Sequence, residues 1–252
     1  MKGILKPRIH PVALAFCFIL GVAAISRVPA QEILKRSILS QGKKREYYLF
    51  IPKVIQRSSV PVIVLLHGSG HDGASLVEKW KSLAERETII LVGPTSDSSA
   101  GWQMPRDGPE FLYDLVEALR VQYPVNSRRI YLFGHSAGAV FALYMSMYES
   151  QFFAATALDA GALPLGKYSV MEKAHRKIPI AISTGTDDEY FPLNVVQTTV
   201  KALRSKDFPV ELTVRVGQNH TSYYNFAPEI DRAAWEFLSK FELSTDPQYA
   251  PY

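Results

Sequence analysis

The sequence is almost without cysteine. Its one thiol, Cys17, lies in an apolar stretch near the N-terminus, so the rest of the chain offers no disulfide framework and no thiol nucleophile. No paired His, or His with Asp, recurs at metal-ligand spacing, which argues against a metal-dependent enzyme; no metal and no cofactor are expected. Nothing repeats at a fixed period. Charge of one sign is also lacking: 28 basic and 24 acidic residues leave a net +4, and the basic ones are scattered instead of gathered into a stripe, so nucleic acid is not an expected partner. With 47 % hydrophobic and 21 % charged residues the composition is that of an ordinary globular chain, and 252 residues suit one large domain.

The N-terminus stands apart. Lys2, Lys6 and Arg8 precede the unbroken apolar run Val12 to Ile25, and Val28-Pro29-Ala30 then places small residues at the −3 and −1 positions. This pattern is that of a signal peptide over residues 1–30, followed by a single domain over residues 31–252 and by export to the periplasm or beyond. The run is short of the roughly 20 residues needed to span a bilayer, so no stable membrane span is expected after cleavage, with an uncleaved anchor as the alternative. Phe16 before Cys17 speaks against a lipoprotein.

Beyond the leader, short apolar runs alternate with helical patterns. Strands are expected at 45–51, 61–66, 88–92, 129–133, 153–158, 178–183 and 210–216, several apolar on both faces as buried parallel strands are. Helices are expected at 75–86, 109–123, 137–148, 193–204 and 228–241. The alternation predicts an α/β fold: a doubly wound, mainly parallel sheet with helices on both faces, whose ligands bind at the carboxyl ends of the strands.

One such strand end carries Gly134-His135-Ser136-Ala137-Gly138. A G-x-S-x-G turn between strand and helix lifts a serine hydroxyl clear of the sheet, and its glycines stand where side chains would collide with neighbouring elements. Ser136 is therefore the candidate nucleophile. It needs a base. Of six histidines, His10 belongs to the leader, His135 points away inside the turn, and His175 sits among surface lysines and arginines. His67 and His71 flank an early loop, where His67 is read as structural. His220, after the last strand and before the final helix, falls in the order Ser, acid, His. A carboxylate must orient it, and three stand at strand ends: Asp159, Asp187 and Asp188. The oxyanion hole is expected from the backbone N–H of Ala137 and of Ser69, the latter in His67-Gly68-Ser69-Gly70. Trp102, Phe191, Tyr223 and Tyr224 could line a substrate pocket, or simply pack.

Together His67–Gly70, Gly101-Trp102, the stretch 107–119, Tyr123-Pro124-Val125-Asn126-Ser127-Arg128-Arg129-Ile130-Tyr131, the serine turn, the Asp188 loop and His220 resemble the polyhydroxybutyrate depolymerase and feruloyl esterase group of α/β-hydrolases. The likeness runs over roughly residues 45–240, on the scale of a domain. It implies the α/β-hydrolase fold and a serine esterase that takes a small-molecule or polymeric ester through an acyl-enzyme. It also selects Asp188 as the acid, because Gly185-x-x-Asp188 with Pro192 four residues on is the usual layout of that loop. The chain departs from the group at Ser69, where many members carry cysteine, and at Leu158-Asp159-Ala160-Gly161. A peptidase of the same fold and a non-catalytic binding protein are the competing functions, and oligomeric state stays open.

Overall fold

The computed structural model describes residues 32–53 and 59–249; the expected signal peptide lies outside them. The elements in chain order are strands β1 (Leu34–Ser40), β2 (Lys43–Phe50) and β3 (Val60–Leu66), helix α1 (Ala74–Glu87), β4 (Ile90–Pro94), α2 (Glu110–Gln122), β5 (Val125–His135), α3 (Ala137–Tyr148), β6 (Ala155–Asp159), β7 (Ile180–Gly185), α4 (Leu193–Arg204), β8 (Val210–Arg215) and α5 (Tyr223–Leu238). They form an eight-stranded sheet in the order β1-β2-β4-β3-β5-β6-β7-β8. β1 and β2 are antiparallel, and β2 joins β4 antiparallel; every other pairing is parallel. This is the doubly wound sheet that the alternating pattern predicts.

Successive residues of a strand face opposite sides of a sheet, and the two cores divide accordingly. Val62, Val64, Leu66, Ile130 and Leu132 pack with α2, α3 and α4 on one face. Ile63, Leu65, Tyr131 and Phe133 pack with α1 and α5 on the other. β3 is buried along its whole length, as its apolar run requires.

Two elements differ from expectation. β1 is an additional strand, an exposed edge paired to β2 through a Gln41-Gly42 turn whose residues both have positive φ. Its sequence LKRSILS has the weak alternation of a half-solvated edge, so it carries little strand signal. α5 begins at Tyr223 instead of Pro228. A proline commonly opens a helix; here the chain turns helical five residues earlier, kinks at Phe226 and accommodates Pro228 just after the kink.

The loop between β4 and α2 carries Gly101 and Trp102 toward the strand ends and is held by a buried ion pair. The Asp107 carboxylate is fully buried. It accepts from the Arg45 guanidinium and from the backbone N–H groups of Asp97 (2.8 Å) and Gln103 (2.7 Å). Arg45 also donates to the carbonyls of Thr95 and Arg106 and lies over the Phe111 ring at 3.8 Å. One carboxylate thus ties both limbs of the loop to β2. Removing one partner of a buried pair leaves the other charge uncompensated. Asp107→Ala should therefore lower stability by about 3–5 kcal/mol in urea unfolding; a loss under about 1 kcal/mol would mean that the loop is held by other contacts.

Candidate active site

The parallel strands β3, β5, β6, β7 and β8 lie side by side in that order, and all but β6 hand over to a loop of the site. After β5 the chain turns at Ser136, a non-glycine residue with φ 58° and ψ −122°. Such backbone costs of order 1–3 kcal/mol and persists only where surroundings enforce it. The enforcing contacts are steric. A Cβ on Gly134 would lie 2.3 Å from the Gly138 carbonyl oxygen, and one on Gly138 would lie 1.8 Å from that of Leu66. Neither can exist without pushing α3 off the sheet. Gly68 approaches from β3, where a Cβ would meet Ser136 Cβ at 3.3 Å.

His220 follows β8 on a short 3-10 turn, set by a reciprocal cap between Asn219 and Ser222. Its Nε2 is 2.9 Å from Ser136 Oγ, and its Nδ1 is 3.0 Å and 3.2 Å from the two oxygens of Asp188. Asp188 is buried. Its Oδ1 also accepts the backbone N–H groups of Tyr190 (2.9 Å) and Phe191 (2.8 Å). Burial pushes this carboxyl's pKa up; the hydrogen bonds from His220, Phe191 and Tyr190, with the attraction of His220, outweigh it and hold the pKa below the ordinary value.

The other two carboxylates lie elsewhere. Asp187 is exposed and accepts from Thr186 Oγ1. Asp159 is buried behind the serine turn, paired with Arg215, accepting from Ser183 Oγ at 2.6 Å and 3.2 Å from His135 Nδ1. His135 stacks between His220 (5.4 Å) and Tyr223 (4.7 Å), so its ring backs the site without facing Ser136 Oγ. Arg215 carried no sequence signal, because its role depends on β8 lying two strands from β6.

At the expected oxyanion position, Ser69 Oγ donates to the Ala100 carbonyl at 2.9 Å, fastening the loop after β3 to the Gly101 turn. A Cβ on Gly101 would lie 3.2 Å from Ala137 Cβ and 3.3 Å from Ser69 Oγ, so Ser69, Gly101 and Ala137 converge. Neither the Ser69 nor the Ala137 N–H donates to another backbone group among the described residues. His67 is buried. Its Nδ1 donates to the Gly68 carbonyl (2.8 Å) and its Nε2 accepts from Ser96 N–H (3.1 Å), the arrangement of a neutral, structural imidazole. Burial lowers its pKa, against the raising effect of the Gly68 hydrogen bond.

A cavity of about 540 Å³ opens beside Ala137, walled by Trp102 and Phe141, whose rings stack at 5.0 Å. Phe191 lies instead at the His220 ring, 5.8 Å away. Tyr223 requires correction as a pocket residue. It is 1 % exposed, its hydroxyl donates to Asp231 Oδ1 (2.8 Å), and it packs in the core under His135 because α5 turns it inward. Tyr224, beside it, hydrogen-bonds His71 instead (2.9 Å). Tyr144, Tyr148, Lys167 and Lys173 line the cavity and were not singled out from sequence. The spacing 137, 140, 141, 144, 148 does mark one face of α3, and would have indicated the tyrosines. Among the described residues no group of three or more His, Cys, Asp or Glu could hold a metal ion, and no helix is long and apolar enough to cross a membrane.

Comparison with known proteins agrees with this architecture. The sequence signature described as phospholipase/carboxylesterase matches residues 110–240, just over half of the chain and inclusive of Ser136, Asp188 and His220. The chain is 26 % identical over 171 residues to a bifunctional acetylxylan esterase/xylanase of Neocallimastix patriciarum, which covers 66 % of this chain and 25 % of that protein. It thus spans about a quarter of the length of that relative. Among solved structures, a ferulic acid esterase superposes with a TM-score of 0.64 at 19 % identity, covering 82 % of this chain and 98 % of the other. A fluorophosphonate-binding serine hydrolase of Staphylococcus aureus superposes with a TM-score of 0.69 at 14 % identity, covering 82 % and 98 %. At these identities the superpositions establish the fold, and they match the α/β-hydrolase architecture expected from the residues.

The steric argument at the serine turn has a direct test. Gly138→Ala should cost more than about 3 kcal/mol in urea unfolding, because the added methyl meets backbone on a buried strand. Gly166→Ala, at φ +78° with nothing within 4 Å, should cost only about 1–2 kcal/mol of left-handed strain. A cost at Gly138 no larger than at Gly166 would show that α3 yields to the added methyl and that close approach does not impose this glycine.

Proposed function

The chain belongs to the phospholipase/carboxylesterase family, and from that premise we propose that it is an exported serine esterase with Ser136 as nucleophile, His220 as base and Asp188 as the acid behind it. The observation that carries the reading is the continuous contact from Asp188 through His220 to Ser136 Oγ, at 3.0 and 2.9 Å.

The chemistry follows from that contact. His220 Nε2 removes the Ser136 proton as Oγ attacks the ester carbonyl, so the imidazole becomes cationic while the carbonyl oxygen becomes anionic. The Ser69 and Ala137 N–H groups receive that oxygen; one such donor is worth about 2.7–4 kcal/mol in the transition state. His220 then returns its proton to the departing alcohol oxygen as the carbon–oxygen bond breaks, leaving Ser136 acylated. Water, deprotonated by the same nitrogen, attacks the acyl carbon; the acid leaves and Oγ recovers its proton. Asp188, ionised at neutral pH because its pKa is held below the ordinary value, keeps the proton on His220 Nδ1 and stabilises the imidazolium throughout.

A peptidase would use the same residues. The ester reading is favoured by the family and by the acetylxylan esterase relative, and a non-catalytic reading leaves the aligned Ser136–His220–Asp188 contact without a purpose. Ser136→Ala should lower ester turnover by on the order of 10⁶ and abolish labelling by a fluorophosphonate. Asp188→Asn should lower turnover by about 10⁴, because the amide favours the imidazole tautomer with a proton on Nε2, whereas Asp187→Asn should stay within about tenfold of the parent. A crippled Asp187→Asn beside an active Asp188→Asn would overturn the assignment of the acid.

Export rests on residues 1–30, where the basic start, the apolar run and Val28-Pro29-Ala30 support a cleaved leader. Mass spectrometry of the protein from its native host should find Gln31 at the mature N-terminus; an intact, membrane-extracted chain beginning at Met1 would contradict it.

A further inference from the structure

The cavity beside Ala137 is not uniform along its length. Its wall on α3 is the single face Ala137, Val140, Phe141, Tyr144 and Tyr148. At 1.5 Å of rise per residue this face runs about 16 Å away from the serine turn. The opposite wall comes from the connection between β6 and β7, which follows α3 from one end to the other. At its start a Cβ on Gly161 would lie 2.4 Å from Ala139 Cβ. At its far end Arg176 donates to the Ser150 carbonyl at 2.9 Å, just past the last turn of α3. Between these two points the connection contributes Lys167, Ser169 and Lys173 to the cavity, with Lys173 close to the Arg176 end.

The polarity is therefore graded. Ala137, Gly101, Trp102 and Phe141 surround the end at Ser136, and Lys167 and Lys173 belong to the other wall, with Ser169 and Val170. No aspartate or glutamate lines the cavity, and neither lysine pairs with a carboxylate among the described residues. Glu172, between them in sequence, pairs outward with Lys206. Neutralising the negative end of the α3 dipole would be an ordinary structural use for such lysines. Near that end Arg176 is the cation that meets backbone carbonyls, donating to Ser150, Phe153 and Ala154 just past the helix, and no hydrogen bond from either lysine to a carbonyl of α3 is present among the described residues. Two exposed cations without a carboxylate partner, lining a cavity that is otherwise largely apolar and aromatic, are then best matched by an anion on the ligand.

Resting on the esterase reading of Ser136, we propose that the substrate is an ester with an apolar or aromatic segment next to the scissile bond and a carboxylate at its remote end, which Lys167 and Lys173 receive. The lysines act on selectivity, drawing the charged end into place while the apolar segment lies along Trp102, Phe141 and Tyr144.

The test compares substrates matched in length and differing in charge. On the acyl side these are the 4-nitrophenyl half-ester of octanedioic acid and 4-nitrophenyl octanoate; on the alcohol side, 7-acetoxyheptanoate and its methyl ester. An exposed lysine–carboxylate pair is worth up to about fivefold in an equilibrium, so in one of the two series the anionic-to-neutral ratio of kcat/KM should be on the order of tenfold higher for the parent than for the Lys167→Met/Lys173→Met variant. Lys167→Glu/Lys173→Glu should invert the preference, and about 1 M salt should erase it. Ratios that agree within twofold across parent and variants in both series would overturn the proposal while leaving the Ser136 reading intact. If the parent turns over none of these esters, the Ser136 reading fails by itself. The charge preference is then read from Trp102 fluorescence, titrated with octanedioate and with its dimethyl ester: tighter binding of the dianion, lost in the double variant, supports the lysine site, and equal binding rejects it.

Discussion

Everything at this site depends on how closely α3 approaches β3. The first turn of the helix passes so near the Leu66 carbonyl that no side chain fits at Gly138, and the same crowding excludes one at Gly134. Because the helix is pressed onto the strand ends, the residue joining β5 to α3 has nowhere to go but outward, at a positive φ that serine would otherwise avoid. The strain at Ser136 is thus a consequence of packing elsewhere. That packing also points the positive end of the α3 dipole, with the free N–H groups of its first turn, at the position where a substrate oxygen would develop charge.

One buried and one partly buried ion pair flank this turn and hold its neighbours in register. Arg45 and Asp107 secure the loop with Gly101 and Trp102 on one side, and Arg215 with Asp159 braces the β6–β8 side, under His135. Buried charges contribute little net stability, since desolvation offsets their attraction, but losing one partner is costly. Such pairs suit the fixing of loop positions, where an apolar contact would permit sliding. His135 links the second pair to His220: one face of its ring meets His220, and its Nδ1 meets Asp159. A further buried carboxyl group, Asp231, accepts from Tyr223; burial pushes its pKa well above the ordinary value, against the lowering effect of that hydrogen bond.

How much of this was legible in the sequence follows from which contacts are local. β3 could be read because both its faces are buried and every residue in it is apolar or proline; β1 could not, because an edge strand with one solvated face loses its pattern. The serine turn was legible because both glycines fall within two residues of Ser136, although only the Gly134 clash is local and the one at Gly138 is with Leu66 on β3. His220 was legible from chain order. Asp187 and Asp188 are equivalent to periodicity, and only the loop's fold distinguishes them: the turn that lets Tyr190 and Phe191 donate to Asp188 leaves Asp187 in solvent. Tyr223 was misread for the same kind of reason, since an aromatic residue just after His220 faces the pocket or the core according to where α5 starts. Lys167 and Lys173 gave no signal, because their meaning lies in the path of the 160–179 connection along α3.

That path also explains how a common scaffold could acquire a particular selectivity. Ser136, His220 and Asp188 come from turns whose geometry is dictated by the sheet, so little can change there without losing the contact between them. The cavity has different origins: one wall is a half-buried stripe of α3, and the other is a long crossover that contains only a short 3-10 segment, 168–173, and makes hydrogen bonds to the rest of the fold near its ends, at Leu163 and Arg176. Substitutions in the middle of that crossover alter charge and shape along the cavity without touching a strand end. On the proposed reading, mechanism and selectivity would be carried by parts of the chain under different physical constraints. The first are held by close backbone packing that tolerates no added methyl group; the second lie on a connection anchored by hydrogen bonds at its two ends and by Val170 and Met171 in the core, with its exposed positions free to vary.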